Sequence, residues 1–303
     1  MIATQASVTA KICSYLRAYH SIFARNKVFD DYLAYEMMGK EEYEQIEALI
    51  HSMFSNSETE ANSDAARQFV IDNVSSIPLS RIRYAEEELH SFAARHGACQ
   101  YVICGAGMDT FAFRNTNRDI QIYEIDHPST QAYKLRRIAE LEWSIPENVC
   151  YVPVNFECDS LRDALLGAGL DPKKKTFFSI LGVTYYITLP VFEETLQSIA
   201  ALSGEGSAVV FDYPDETTHR PEAQTKDFML VAKVTASFGE VMRQGFSYRS
   251  LEAALLRHGF AVTEHMTPDR IRKAYFQLKN TQDTQGGQFR VFDNVSLIRA
   301  QAC

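Results

Sequence analysis

Gly105-Ala106-Gly107 and, twenty-one residues after Gly105, Asp126 are the residues of this 303-residue chain whose types and spacing can do chemistry together. The glycines follow a β-rich run, Gln100 to Cys104, and precede a helix-compatible segment. That is the place where a doubly wound sheet takes its ligand, since glycine lets the backbone come close. Asp126 ends the next β-rich run, where a carboxylate accepts hydrogen bonds from both hydroxyls of a ribose. Gly-x-Gly by itself is also a structural tight turn, so its position counts for more than its pattern. Together the glycine turn and the acidic strand end point to an adenosine-bearing ligand.

A dinucleotide would call for a third glycine three residues after Gly107, to seat a helix N-terminus against the pyrophosphate, and Thr110 stands there. S-adenosylmethionine has no phosphate and carries a sulfonium cation, so the shorter motif suffices and the methyl donor is preferred over NAD. His127 directly follows Asp126 and could act as a base or neighbour the cofactor. Tyr185 and Tyr186 come just after the fourth β-rich run, where methyl acceptors commonly lie, and Asp212 and Tyr213 end the fifth. Arg83 is a further candidate for an acceptor's charge, against a surface salt bridge.

These residues need a frame, and the periodicity supplies one. Helical spacing recurs at Val8, Ile12, Tyr15, Leu16 and Tyr19, at Tyr43, Ile46, Ile50 and Phe54, at Ala66 to Ile77 before Pro78, and from Ala85 to His96 before Gly97. The polar stretch 55–63 reads as a loop. From there β-rich runs at 100–104, 120–125, 149–154, 176–181 and 207–213 alternate with helical patterns at 128–142, 160–168 and 189–202. Such alternation predicts a parallel sheet. A helix at 248–258 and two late runs, 261–265 and 289–298, imply an antiparallel hairpin at one edge of a seven-stranded sheet. The expected organisation is a helical cap and lead-in helix over 1–97 and a core over 98–303, with a helical lid insertion at about 214–246.

Composition narrows the function classes. Apolar residues make up 46% and charged ones 23%, as in an ordinary globular protein. Thirty Lys and Arg against 39 Asp and Glu give −9, which offers no general attraction to nucleic acid or to an anionic membrane. The six cysteines form no Cys-x-x-Cys pair and read as free thiols of a cytoplasmic protein, with no metal expected. No leader-like start or long apolar run is present, so neither secretion nor membrane spanning is expected.

Four ordered motifs, Ser80-Arg81-Ile82-Arg83, Cys104 to Thr110, Tyr123 to Pro128 and Leu181 to Tyr186, together resemble the leucine carboxyl methyltransferase superfamily, which includes bacterial polyketide carboxyl O-methyltransferases. The likeness runs over about residues 7–300 and is densest between 80 and 215. It implies an α/β, Rossmann-like class I methyltransferase fold with a helical N-terminal cap. It also implies a cofactor, S-adenosyl-L-methionine, and site roles. Arg81 matches the arginine that pairs with the methionine carboxylate, Gly105 the glycine under the methionine moiety, Asp126 the ribose ligand, and Lys11 a capping lysine. Ala106, Gly107 and His127 accompany them. Asn155-Phe156 stands where an Asp-Leu pair flanks the adenine, and Leu181 where a glutamate meets the cofactor's ammonium group.

The expected reaction is in-line methyl transfer from sulfonium to oxygen, in which the protein mainly supplies positioning. A carboxylate acceptor, such as that of a polyketide-type metabolite, needs no general base; a phenol or alcohol does, with His127 the nearest candidate by position, while Tyr185 and Tyr186 are the other catalytic candidates. Arg83, Tyr185, Tyr186 and Tyr213 are the expected acceptor contacts. A protein C-terminal carboxyl methyltransferase and a non-catalytic cofactor-binding protein are the alternatives. The sequence leaves the acceptor and the oligomeric state open.

Overall fold

The computed structural model describes residues 7–54, 74–156, 158–220, 222, 226–277 and 291–303. Apolar residues in runs of five to eight build seven strands: β1 (Cys99–Cys104), β2 (Ile120–Asp126), β3 (Val149–Pro153), β4 (Thr176–Ile180), β5 (Ala208–Pro214), β6 (Phe260–Met266) and β7 (Val295–Ala302). They form one sheet of order β3-β2-β1-β4-β5-β7-β6. The pairs from β3 to β5 are parallel, and β7 runs antiparallel to both β5 and β6. The order reverses between β1 and β4, so the carboxyl ends of β1, β2 and β4 flank the crevice that such a reversal opens.

Helices cover both faces. On one face Val102, Tyr123, Ile125, Phe178 and Phe211 pack against Leu165, Leu196 and Leu255, which belong to α7 (Leu161–Gly167), α8 (Leu189–Ala201) and α10 (Tyr248–Arg257). On the other, Tyr101, Ile103, Phe177 and Val210 meet Leu89 and Phe92 of α4 (Ser76–His96), with the Phe92 and Phe177 rings 5.5 Å apart. Two more helices complete the core, the one-turn α5 (Phe111–Arg114) after the glycine turn and α6 (Pro128–Glu140) after β2. His127 caps α6 by accepting from the Ser129 amide, and Pro128 occupies the first turn, where its missing N–H costs nothing.

The N-terminal helices α1 (Val8–Phe23), α2 (Ala34–Met38) and α3 (Lys40–Phe54) close a separate small core around Tyr15, Leu16, Met38, Tyr43 and Ile46. Between β5 and α10 lies α9 (Lys226–Ser237), and after β6 a short helix, α11 (Pro268–Ile271), runs into a π-turn at Arg272–Phe276.

Two boundaries differ from the sequence reading, and two short helices escape it. The lead-in helix begins at Ser76 rather than Ala85, because Pro78 sits in its first turn, where proline is tolerated. The last strand is Val295–Ala302, later than the expected 289–298, of which 289–290 lie outside the described residues: its register is set by β5, which pairs Val295 with Pro214 and Gln301 with Ala208. The four-residue α5 and five-residue α2 are too short for a periodic signal. The expected loop at 55–63, and most of the helix expected from Ala66 to Ile77, lie outside the described residues.

Candidate functional site

The inner strands β1, β4 and β5 are buried along their length, yet Gly105, Gly107, Asp126, His127, Asn155, Phe156, Leu181, Gly182 and Val183 at the strands' carboxyl ends are all partly exposed. They stand at the carboxyl ends of β1 to β4, around the crevice that the strand-order reversal opens. The glycine turn is anchored to β2 by the amides of Gly105 and Ala106, both donating to the Ile125 carbonyl at 2.8 and 2.9 Å. Gly105 has φ +77°, a conformation that L side chains rarely adopt, and a Cβ there would lie 2.5 Å from Val183 Cγ2. Its glycine therefore serves the packing of one turn against the next as well as access.

Asp126 accepts from the Gly107 amide through Oδ2 (2.5 Å) and from the His127 amide through Oδ1 (2.7 Å). Burial raises its pKa, and these two amides, with Lys134 and His127, pull it back down. Each carboxylate oxygen accepts two hydrogen bonds, so capacity for two hydroxyls remains.

Across the crevice, Arg81 on α4 reaches the end of β5. Its Nη1 donates to Asp212 Oδ2 at 3.2 Å, its Nη2 lies 3.5 Å from Cys13 Sγ, and its Nε is buried without a hydrogen-bond partner. Asp212 is fully buried and also takes the Gly182 amide (2.7 Å) and the Tyr185 hydroxyl (2.9 Å). A Cβ on Gly182 would come within 2.6 Å of the guanidinium. Asp212 thus braces Arg81 from below and leaves the edge bearing Nε for another anion.

The helix α1 lies across the glycine turn: a Cβ on Gly107 would stand 3.2 Å from that of Ala10. Arg17 of α1 donates to the Met108 carbonyl at 2.7 Å and to Asp31 at 2.8 Å. Asp31 also takes the Thr110 hydroxyl, and Arg114 forks onto Glu86. At the other end of α1, the amides of Val8 and Thr9 donate to Glu240, at 2.9 and 3.5 Å. Residues on both sides of the sheet are thereby tied to the helix that covers the crevice.

The remaining expected residues divide. Asn155 and Phe156 follow β3 at the crevice wall, with Phe156 packed on the core face. Leu181 stands beside Gly182 and packs toward the opposite face. Lys11 is at the rim, paired with Glu42 at 2.8 Å and lying 4.5 Å from the Tyr133 ring centroid. The His127 ring faces Ser129 through Nδ1, at 2.8 Å. Tyr186 packs beside Ile77, Val231 and Met242.

Three placements depart from expectation. Tyr185 has its hydroxyl spent on Asp212, and burial beside that carboxylate drives its pKa well above the ordinary phenol value, which removes it as a base near neutrality. Tyr213 points to the face opposite Asp212, as successive strand residues must, and bonds His265 Nε2 at 3.0 Å. Arg83 is turned away from Arg81: it pairs with Glu87 (2.7 Å), donates to the Val28 carbonyl (2.8 Å) and lies over the Tyr275 ring.

Sequence reasoning missed Arg17, Asp31, Glu124 and Lys134. A signal existed for Glu124, an acid between Tyr123 and Ile125 in a strand run, which buried in a strand demands a partner. Among the described residues no cluster of metal-ligating side chains occurs and no helix is long and apolar enough to cross a membrane.

Residues 10–200 match the family model for leucine carboxyl methyltransferase. YktD of Bacillus subtilis (strain 168), named for S-adenosyl-L-methionine-dependent methyl transfer, is 33% identical over 309 residues, covering 99% of each chain. A protein of Mycobacteroides abscessus with a like name is 31% identical over 165 residues, 54% of this chain and 52% of its own. Among solved structures, a DUF574 family protein from Streptomyces avermitilis aligns over 100% of both chains with a TM-score of 0.57 at 13% identity, a likeness of fold.

Proposed function

The chain belongs to the leucine carboxyl methyltransferase family and is an S-adenosylmethionine-dependent methyltransferase; we propose that it transfers the methyl group to a carboxylate oxygen of a small, largely apolar molecule of the polyketide type. When bound, the cofactor supplies a methyl group already activated on a sulfonium centre. The site residues fit it. Asp126 has acceptor capacity for the ribose hydroxyls, and Arg81 offers a buried, unpartnered Nε to the methionine carboxylate. Asn155 and Phe156 stand where the adenine edge and face would be met. Gly105, Ala106 and Gly107 shape the turn beneath, with Lys11 at the rim and Leu181 and His127 beside it.

The observation that carries the acceptor assignment is the state of the candidate bases. Tyr185 is locked in donation to Asp212, and the Nδ1 side of His127 is occupied by Ser129. A carboxylate arrives ionised and asks for no base, only for exclusion of the water that would otherwise solvate its oxygen. The helices α1 to α4 and α9 serve that exclusion, with Glu240, just beyond α9, taking the amides at the start of α1. Beside Arg81 lies a small hollow of about 10 Å³, room for about one water, lined by Ile77, Phe292 and Val295, where the buried Ser76 hydroxyl has no partner.

The test is the pH dependence of methyl transfer to carboxylic acids of increasing apolar size. A rate nearly flat from about pH 6 to 9 is expected, because a carboxylate of pKa near 4 is ionised throughout. A steep rise across that window that vanishes in His127→Ala would replace this reading with base-assisted transfer to a phenol.

A further inference from the structure

Beneath the glycine turn lies a charge pair that donor and acceptor binding leave unexplained. Lys134 on α6 is completely buried, and its ammonium donates to Glu124 on β2 and to the Asp109 carbonyl at 2.5 Å. Glu124 Oε1 is buried without a hydrogen bond, and so is the hydroxyl of Tyr151, which pairs with Glu124 in the β2–β3 register. A buried pair that leaves polar atoms unsatisfied gains little stability over well-packed apolar side chains of similar volume. What apolar side chains would lack is a grip on the turn.

Glu124 and Asp126, two apart on a strand, share a face. The segment from Gly105 to Asp109 is therefore suspended from two points on that face: the Gly107 amide on Asp126, and the Asp109 carbonyl on Lys134. The groups facing Asp126 are the amides of Gly107 and His127, the His127 ring and Lys134, with Glu124 as the neighbouring carboxylate that opposes its ionisation.

We propose that Lys134 is a positioning residue for the methyl donor: it holds the Asp109 end of the glycine turn and, by offsetting the charge of Glu124 behind β2, keeps Asp126 an ionised acceptor for the ribose. The proposal rests on Asp126 as the ribose ligand. Two consequences distinguish it from a structural ion pair. Donor affinity falls even where stability is restored, and the pH at which affinity is lost on the acid side moves upward.

The experiment is calorimetric titration with S-adenosylhomocysteine from pH 5 to 8, paired with thermal unfolding. It compares the wild type, Lys134→Met, Lys134→Gln, and Lys134→Met combined with Glu124→Leu. The double variant is expected to recover the melting temperature that Lys134→Met loses, yet to bind roughly ten- to a hundredfold more weakly than wild type, the scale of a lost charge-assisted hydrogen bond. Lys134→Gln can still donate to the Asp109 carbonyl without the charge; it should bind nearly as wild type at pH 8 and lose affinity earlier on acidification. If Lys134→Met does not fold, Lys134→Gln alone decides. Wild-type affinity in the double variant, or an acid limb unmoved in Lys134→Gln, overturns the proposal. A wild type that binds no S-adenosylhomocysteine removes the donor reading itself, and the proposal with it.

Discussion

Replacing Gly105 by alanine separates backbone strain from crowding. At φ +77° an L residue costs about 1–2 kcal/mol. Gly259, just past the end of α10, has nearly the same φ, +79°, but nothing within 4 Å of where a Cβ would go. Gly259→Ala should therefore cost only that strain and leave donor affinity unchanged. At Gly105 the Cβ would stand 2.5 Å from Val183 Cγ2, so overpacking adds about 1–3 kcal/mol, for a total of about 2–5. Relief of the clash pushes apart the turns after β1 and β4, the two walls of the crevice. Chemical denaturation of Gly105→Ala, Val183→Ala and their double variant should give a favourable coupling of about 1–3 kcal/mol. Titration with S-adenosylhomocysteine should show at least about a tenfold loss in Gly105→Ala, a change of about 1.4 kcal/mol. Equal destabilisation of the Gly259 and Gly105 variants, or additivity with Val183→Ala, would falsify the packing argument.

Two further outcomes follow from the polar network around the crevice. Arg81→Lys should lose about 1.5–3 kcal/mol of S-adenosylhomocysteine affinity by calorimetry, since one ammonium cannot both answer Asp212 and present the flat edge that bears Nε; unchanged affinity with an intact circular dichroism spectrum would make Arg81 purely structural. Arg17 and Arg114 face three largely buried acids, Asp31, Glu86 and Asp109, one negative charge too many; burial pushes Glu86 up to about 7 despite Arg114. With an unfolded value of about 4.3, the folded chain holds an extra proton between roughly pH 4.5 and 7, so stability should fall as pH rises across that window. Denaturation midpoints for Glu86→Gln should fall less steeply there, and an identical slope would place the proton elsewhere.

Much of the frame was legible because burial writes itself into strand composition. Runs such as Tyr101-Val102-Ile103-Cys104 and Phe177-Phe178-Ser179-Ile180 lie within a residue or two of where periodicity places them, and the late antiparallel pair was implied by two strands with no helix between them. The glycine turn and Asp126 were legible for the same reason: strand ends on the carboxyl side of a parallel sheet converge by topology alone. Tyr213 was expected at the acceptor from its strand-end position and the family likeness, whereas the pleat turns it to the face opposite Asp212, onto His265.

The sequence by itself determined the sheet, the position of the donor crevice on it and the residue types at its rim, since these depend on local pattern and on connection rules. Only the tertiary structure decided how charges are paired. Arg81 meets Asp212 across 131 positions, Arg17 meets the Met108 carbonyl across 91, and Val8 meets Glu240 across 232. A buried charge must find a partner wherever packing puts one, and the energy that selects the partner depends on distance and desolvation in space, neither of which is written in the order of the chain.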